Sequence, residues 1–144
     1  MLRLIEQGKQ EGARITVGGG RPDHLPKGFY VQPTVFADVD NRMTIAQEEI
    51  FGPVLVVIPF EDDDDAIRIA NDSKYGLSGS IFGTAPARLD KVVRGIRTGS
   101  LMVNGGMFYG ADSPYGGYKM SGLGRQNGLE GFEQYLETKA VGSR

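Results

Sequence analysis

Val54-Leu55-Val56-Val57-Ile58 is a continuous run of apolar, mostly β-branched residues. Such a run predicts a strand covered on both faces, as in the parallel sheets of α/β proteins. It is followed by Glu61-Asp62-Asp63-Asp64-Asp65 and then by Ala66, Ile67, Ile69 and Ala70. An acidic run ahead of apolar periodicity predicts a helix, because carboxylates cap free N–H groups and complement the positive end of the helix dipole. Ser78 to Phe82 reads as a second strand. Thr84 then offers a cap, Pro86 suits a first turn, and Leu89, Val92, Val93 and Ile96 recur at helical spacing, with Arg94 and Arg97 near an end set by Gly99. Ser100 to Val103 gives a third strand.

The order strand, helix, strand, helix, strand, with short connections, predicts an α/β fold with right-handed crossovers and a parallel sheet. Ligands of such sheets lie beyond the carboxyl ends of the strands. The flanking segments carry weaker patterns. Leu2, Ile5 and Gln10 mark a helix from Leu2 to Glu11 that Gly12 terminates, followed by a short strand from Arg14 to Val17. Phe29 to Phe36 alternates well enough for an extended stretch, but Pro33 has no donor and points to an edge or irregular strand. Phe132, Tyr135, Leu136 and Val141 suggest a helix end followed by a strand.

Composition narrows the picture. A chain of 144 residues is long enough for one domain with a real core. Sixteen Lys and Arg against 18 Asp and Glu leave a formal charge of −2, which argues against nucleic acid or an anionic membrane surface as partner. There is no cysteine, so the chain contains no thiolate nucleophile, thiolate metal site or disulfide. The N-terminal residues form neither a signal peptide nor a membrane span, and the expectation is a soluble, cytoplasmic protein. Glycosylation needs secretion, so the sequon Asn71-Asp72-Ser73 is read as chance. The 22 glycines cluster at Gly18–Gly20, at Gly105 and Gly106, and between Gly116 and Gly131, where they signal turns and close backbone approach.

Several candidate chemistries can be weighed. Asp62 to Asp65 could attract a hard cation, but no closing Glu at EF-hand spacing follows and the helix-start role accounts for the run. His24, the single histidine, lies in the loop RPDHLPKG without a nucleophile partner. Gly122, Gly124 and Gly128 miss the dinucleotide fingerprint by spacing and context, and no phosphate-cradling GxxxxGK[ST] loop is present. After Asn104, a loop carrying Phe108, Tyr109, Tyr115 and Tyr118 either packs on the sheet or forms an aromatic-lined ligand funnel. EEIFGPV, residues 48–54, likewise has two readings. In one, it is a cap and turn before the strand, with Phe51 plugging the core. In the other, a carboxylate accepts hydrogen bonds from a ribose diol while the ring packs a flat heterocycle.

Gln32-Pro33-Thr34-Val35, Glu48 to Val54, Asn71 to Leu77 (NDSKYGL), Gly99 to Asn104 (GSLMVN) and Pro114 to Arg125 (PYGGYKMSGLGR), in this order and spacing, resemble the C-terminal portion of the NAD(P)-dependent aldehyde dehydrogenase superfamily. The resemblance covers essentially the whole chain. It implies the parallel-sheet part of a catalytic domain over residues 1–130 and an oligomerisation strand and tail over 131–144. It also implies oxidation of an aldehyde to a carboxylic acid through a thiohemiacetal on cysteine, hydride transfer to a nicotinamide, and thioester hydrolysis. On this resemblance Glu49 binds the nicotinamide ribose hydroxyls and Phe51 packs near the nicotinamide. Met107, Phe108, Tyr109 and Tyr115 lie at or near the aldehyde, and Arg125 pairs with Glu137 at a subunit interface of a homo-oligomer.

The family's nucleophilic cysteine, its general-base glutamate and most of its dinucleotide-binding fold lie upstream of the region matched. The chain therefore resembles roughly the final third of such an enzyme, whether a truncated gene product, an excised piece or a split subunit. It is expected to be inactive alone and to bind NAD or NADP weakly or not at all. The alternative is a freestanding non-catalytic module that self-associates or assembles with full-length relatives.

Overall fold

The computed structural model describes residues 1–107 and 110–144. The chain folds as two compact units, Met1–Glu61 and Asp62–Arg144.

In the first unit, helix α1 (Leu2–Gln10) and strand β1 (Arg14–Val17) form where the pattern places them. Strand β2 (Thr34–Ala37), helix α2 (Thr44–Gln47) and strand β3 (Val54–Val56) complete it. The sheet has the order β1-β2-β3, with β1 antiparallel and β3 parallel to β2. The extended stretch begins its ladder only at Thr34, immediately after Pro33, which has no N–H to donate. Ile5, Ala13, Phe36, Val39 and Ile45 make the core. Helix α1 approaches it through Gly8, where a Cβ would come within 2.8 Å of Ile45.

Helix α2 is short and carries no cap of its own at Met43. Its N-terminus is satisfied from a distance: the Glu11 carboxylate accepts from the Thr44 backbone N–H at 2.8 Å and from the Thr44 hydroxyl. Thr34, buried in β2, donates its hydroxyl to the Gln32 carbonyl and accepts from the Gly19 N–H, tying the Gly18–Gly20 turn to the sheet. That turn needs glycine, since Gly18 and Gly19 both have positive φ and a Cβ on Gly18 would sit 2.1 Å from the Pro33 carbonyl oxygen.

The second unit contains helix α3 (Asp63–Asn71), strand β4 (Ser78–Ile81), helix α4 (Pro86–Gly95), strand β5 (Ser100–Val103) and helix α5 (Gly128–Glu133). Strands β4 and β5 are parallel and joined through α4, as the α/β pattern requires. The acidic run does open α3. Asp62 caps it through the Asp65 N–H at 2.9 Å, Asp63 pairs with Arg88 and Asp64 with Lys91 of α4. The Arg88 guanidinium holds the Asp63 carboxyl below its usual range.

Some expectations shift in detail. The strand starting at Val54 joins β2 in one sheet while β4 and β5 form another, so the three strands do not lie in a single ladder. Leu55 and Val57 are exposed, leaving one face of β3 uncovered. Thr84 does not cap α4: the helix starts at Pro86 after Ala85, and extended backbone at Ile96 stops it before Gly99. After α5 the segment from 137 to 144 is exposed and makes no strand with any described part of the chain. Among the described residues, no helix is long and apolar enough to cross a membrane.

Candidate functional site

The EEIFGPV turn follows directly from α2, which ends where Glu48 turns to extended backbone. Gly52 accepts from the Val54 N–H at 2.7 Å, and Pro53 accepts from the Thr34 N–H at 2.8 Å, fixing the turn to β2. Ile50 packs against the core. Phe51 does not plug it: its ring is 84% exposed, on a backbone at φ 54°. A bulky residue adopts that left-handed region only at an energetic cost, and such outliers concentrate at ligand-binding positions. Glu49 is exposed on the same turn. The turn thus holds a carboxylate and an uncovered ring two residues apart.

In the second unit, three of the five motifs that carry the resemblance turn out to be one piece of structure. The segment 115–126 is closed by a two-way bridge, Tyr115 N–H to Gln126 and Gln126 N–H to Tyr115, both 2.7 Å. It docks on residues 71–77. Tyr118 N–H donates to Gly76 at 2.7 Å, Met120 N–H to Lys74 at 3.0 Å, and Gly76 N–H to the Ser121 hydroxyl at 3.0 Å. Lys119 reaches under the loop and donates to the carbonyls of Asn71 and Ser73, at the C-terminal end of α3 where a cation complements the dipole. Gly99 fits beneath Gly116, where a Cβ would lie 1.6 Å from the carbonyl oxygen. Asn71 joins the ends of α3 and α4 by donating to Gly95 and accepting from the Arg97 N–H.

Asn104 has a comparable role at the end of β5. Its carboxamide makes paired hydrogen bonds with the backbone of Gly83, both 2.9 Å, so the side chain continues the ladder that the main chain leaves. The roles of Asn71, Lys119 and Asn104 were not visible in the sequence. The one local signal was the glycine directly after Asn104; Asn71 and Lys119 have no glycine beside them.

The braced loop walls an open cleft of about 300 Å³, lined among others by Leu77, Tyr115, Ser121, Arg125, Gln134 and Tyr135. Tyr115 and Arg125 therefore come together. Arg125 donates to the Gly117 and Gly124 carbonyls and stacks over the Tyr118 ring at 5.4 Å, so among the described residues its partners within the chain are backbone and ring rather than Glu137. Met107 is exposed and does not line this cleft. Phe108 and Tyr109 lie outside the described residues.

The first unit thus presents an exposed carboxylate and ring on one turn, and the second a cleft walled by a braced glycine-rich loop. The chain belongs to the aldehyde dehydrogenase family, whose profile matches residues 1–141. A curated relative from Staphylococcus saprophyticus is 51% identical over 138 residues, covering 95% of this chain. The chain spans 29% of that relative's length. An aldehyde dehydrogenase of Mycobacterium tuberculosis, solved with NAD+, is 56% identical with a TM-score of 0.86, covering 92% of this chain and 27% of its own. Aldehyde dehydrogenase C of Pseudomonas syringae, a mutant solved with NAD+ and octanal, is 45% identical with a TM-score of 0.90, covering 97% of this chain and 29% of its own.

Proposed function

We propose that this chain is the C-terminal section of an NAD(P)-dependent aldehyde dehydrogenase, supplying the nicotinamide end of the cofactor site and part of the aldehyde tunnel. The observation that carries this reading is Phe51, held exposed on a left-handed backbone beside exposed Glu49. A core plug would have no reason for that conformation, whereas a ring that meets a planar ligand has. The chemistry that a nicotinamide nucleotide would supply at this turn, when bound, is hydride acceptance. Glu49 would accept hydrogen bonds from the ribose hydroxyls of such a nucleotide, and Phe51 would pack near its nicotinamide and restrict where that ring lies. By the same resemblance Met107, Phe108, Tyr109 and Tyr115 are assigned to the aldehyde's surroundings, and residues 131–144 with Arg125 and Glu137 to the subunit interface. The nucleophile comes from outside these 144 residues, because no residue here can replace a thiolate.

The test is a chimera in which residues 1–144 replace the matching section of the Mycobacterium tuberculosis relative. It should produce NADH from aldehydes, the Glu49→Gln variant should lose at least tenfold in turnover, and the 144-residue chain alone should produce none. A folded chimera indifferent to Glu49→Gln would overturn the assignment.

A second reading, a non-catalytic module that assembles with itself or with relatives, is favoured by the exposure of Leu123, Tyr135 and Val141. Large apolar side chains left this exposed are what association would cover. Sedimentation of the purified chain separates the two: a strict monomer counts against assembly.

A further inference from the structure

The chain holds two Asn-Gly steps, Asn104-Gly105 and Asn127-Gly128. At such a step the glycine backbone nitrogen, unshielded by a side chain, can attack the asparagine carboxamide carbon. A C–N bond forms, ammonia leaves, and the product is a five-membered succinimide. Water then opens the ring at one of its two carbonyls, leaving an aspartyl or isoaspartyl residue. The step needs a carboxamide free to swing onto the following nitrogen.

The two sites differ in that freedom. Both asparagines are exposed and both have positive φ, 50° at Asn104 and 60° at Asn127, so access does not separate them. The Asn104 carboxamide is clamped at both ends: Oδ1 accepts from the Gly83 N–H and Nδ2 donates to the Gly83 carbonyl. To reach Gly105 it must release both bonds. The Asn127 side chain, at the start of α5, makes no capping hydrogen bond. The Gly128 N–H, which would have to attack, donates to the Ala111 carbonyl at 2.9 Å, a contact that opposes the step.

We propose that Asn127 is a site of spontaneous deamidation in the folded chain, and that the Gly83 clamp protects Asn104. The consequence falls on the cleft. An isoaspartyl residue adds a methylene to the main chain directly after Gln126, whose two bonds to Tyr115 close the 115–126 loop, and two residues after Arg125. The same residue's carbonyl accepts from the Gly131 N–H in α5. Conversion at Asn127 therefore loosens the closure of the loop as the protein ages.

Trypsin separates the two sites, since cleavage after Arg97 and Lys119 releases Thr98–Lys119 and cleavage after Arg125 and Lys139 releases Gln126–Lys139. The full chain is incubated at mildly alkaline pH, native and in strong denaturant, and both peptides are followed by mass spectrometry and by isoaspartyl methyltransferase labelling. In the native chain, Gln126–Lys139 should convert several-fold faster than Thr98–Lys119, and denaturant should bring the two rates together. Equal or reversed rates in the native chain, or no conversion at Asn127 while the denatured sample converts, overturn the proposal.

Discussion

The Lys119 ammonium donates to the carbonyl oxygens of Asn71 at 2.8 Å and Ser73 at 2.9 Å, closing the C-terminal end of α3 with a side chain from the loop that docks there. The Asn71 carbonyl is one of those a helix end leaves without an intrahelical partner, and Ser73 lies just beyond it. Lys119→Met keeps the length and removes the donors. It should lower unfolding stability by roughly 1.5–3 kcal/mol, the range for hydrogen bonds to charged groups, read as a shift in urea midpoint.

Gly99 and Gly142 make a matched pair for testing the close approach of the same loop. A Cβ on Gly99 would overlap the Gly116 carbonyl oxygen, which is backbone and cannot step aside, while Gly142 has nothing within 4 Å. Gly99→Ala should cost about 3 kcal/mol or leave the second unit unfolded, and Gly142→Ala should change stability by less than about 0.5 kcal/mol. Thermal unfolding of the two variants side by side checks this.

The Glu11 carboxyl is held below its ordinary value of 4.5, chiefly by the hydrogen bond from the Thr44 hydroxyl. A carboxyl whose folded pKa is depressed adds stability that is complete above the unfolded value and disappears as pH falls through the folded one. Glu11→Gln should therefore lower stability at neutral pH and flatten its decline below about pH 4.5. Thr44→Val should act in the same direction. Urea midpoints measured from neutral into acid compare the three chains.

At Phe51, stability and function should part. The ring is 84% exposed and contributes little to the core, while its backbone sits where glycine is at ease. Phe51→Gly should leave the chain as stable as before or up to about 1 kcal/mol more so. In the chimera the same change should reduce turnover. A variant that gains stability while losing activity separates a ligand-facing ring from a structural one.

The acidic run before α3 and the strands from Ser78 and Ser100 were legible because each is a local pattern: a cap, an alternation, a periodicity. Helix α2 was not, because its N-terminus is completed by Glu11, 33 residues away. The sheet membership of Val54–Val56 was missed for a similar reason, since partner choice is a long-range property that an apolar run does not encode. In EEIFGPV, sequence alone offered the core to Phe51, but the left-handed turn gives that role to Ile50 and turns the ring outward. The paired glycine and polar positions in NDSKYGL and PYGGYKMSG were visible, yet their meaning depends on the two segments meeting.

The contacts from Lys119 to Asn71 and Ser73 close loops of 48 and 46 residues. Closing a long loop loses chain entropy before any contact compensates, so contacts of this separation belong late in folding. Helix α4, which lies between them, is local and can form first. The 115–126 segment is then the last part of its unit to settle, and the wall of the cleft becomes a product of the final folding step.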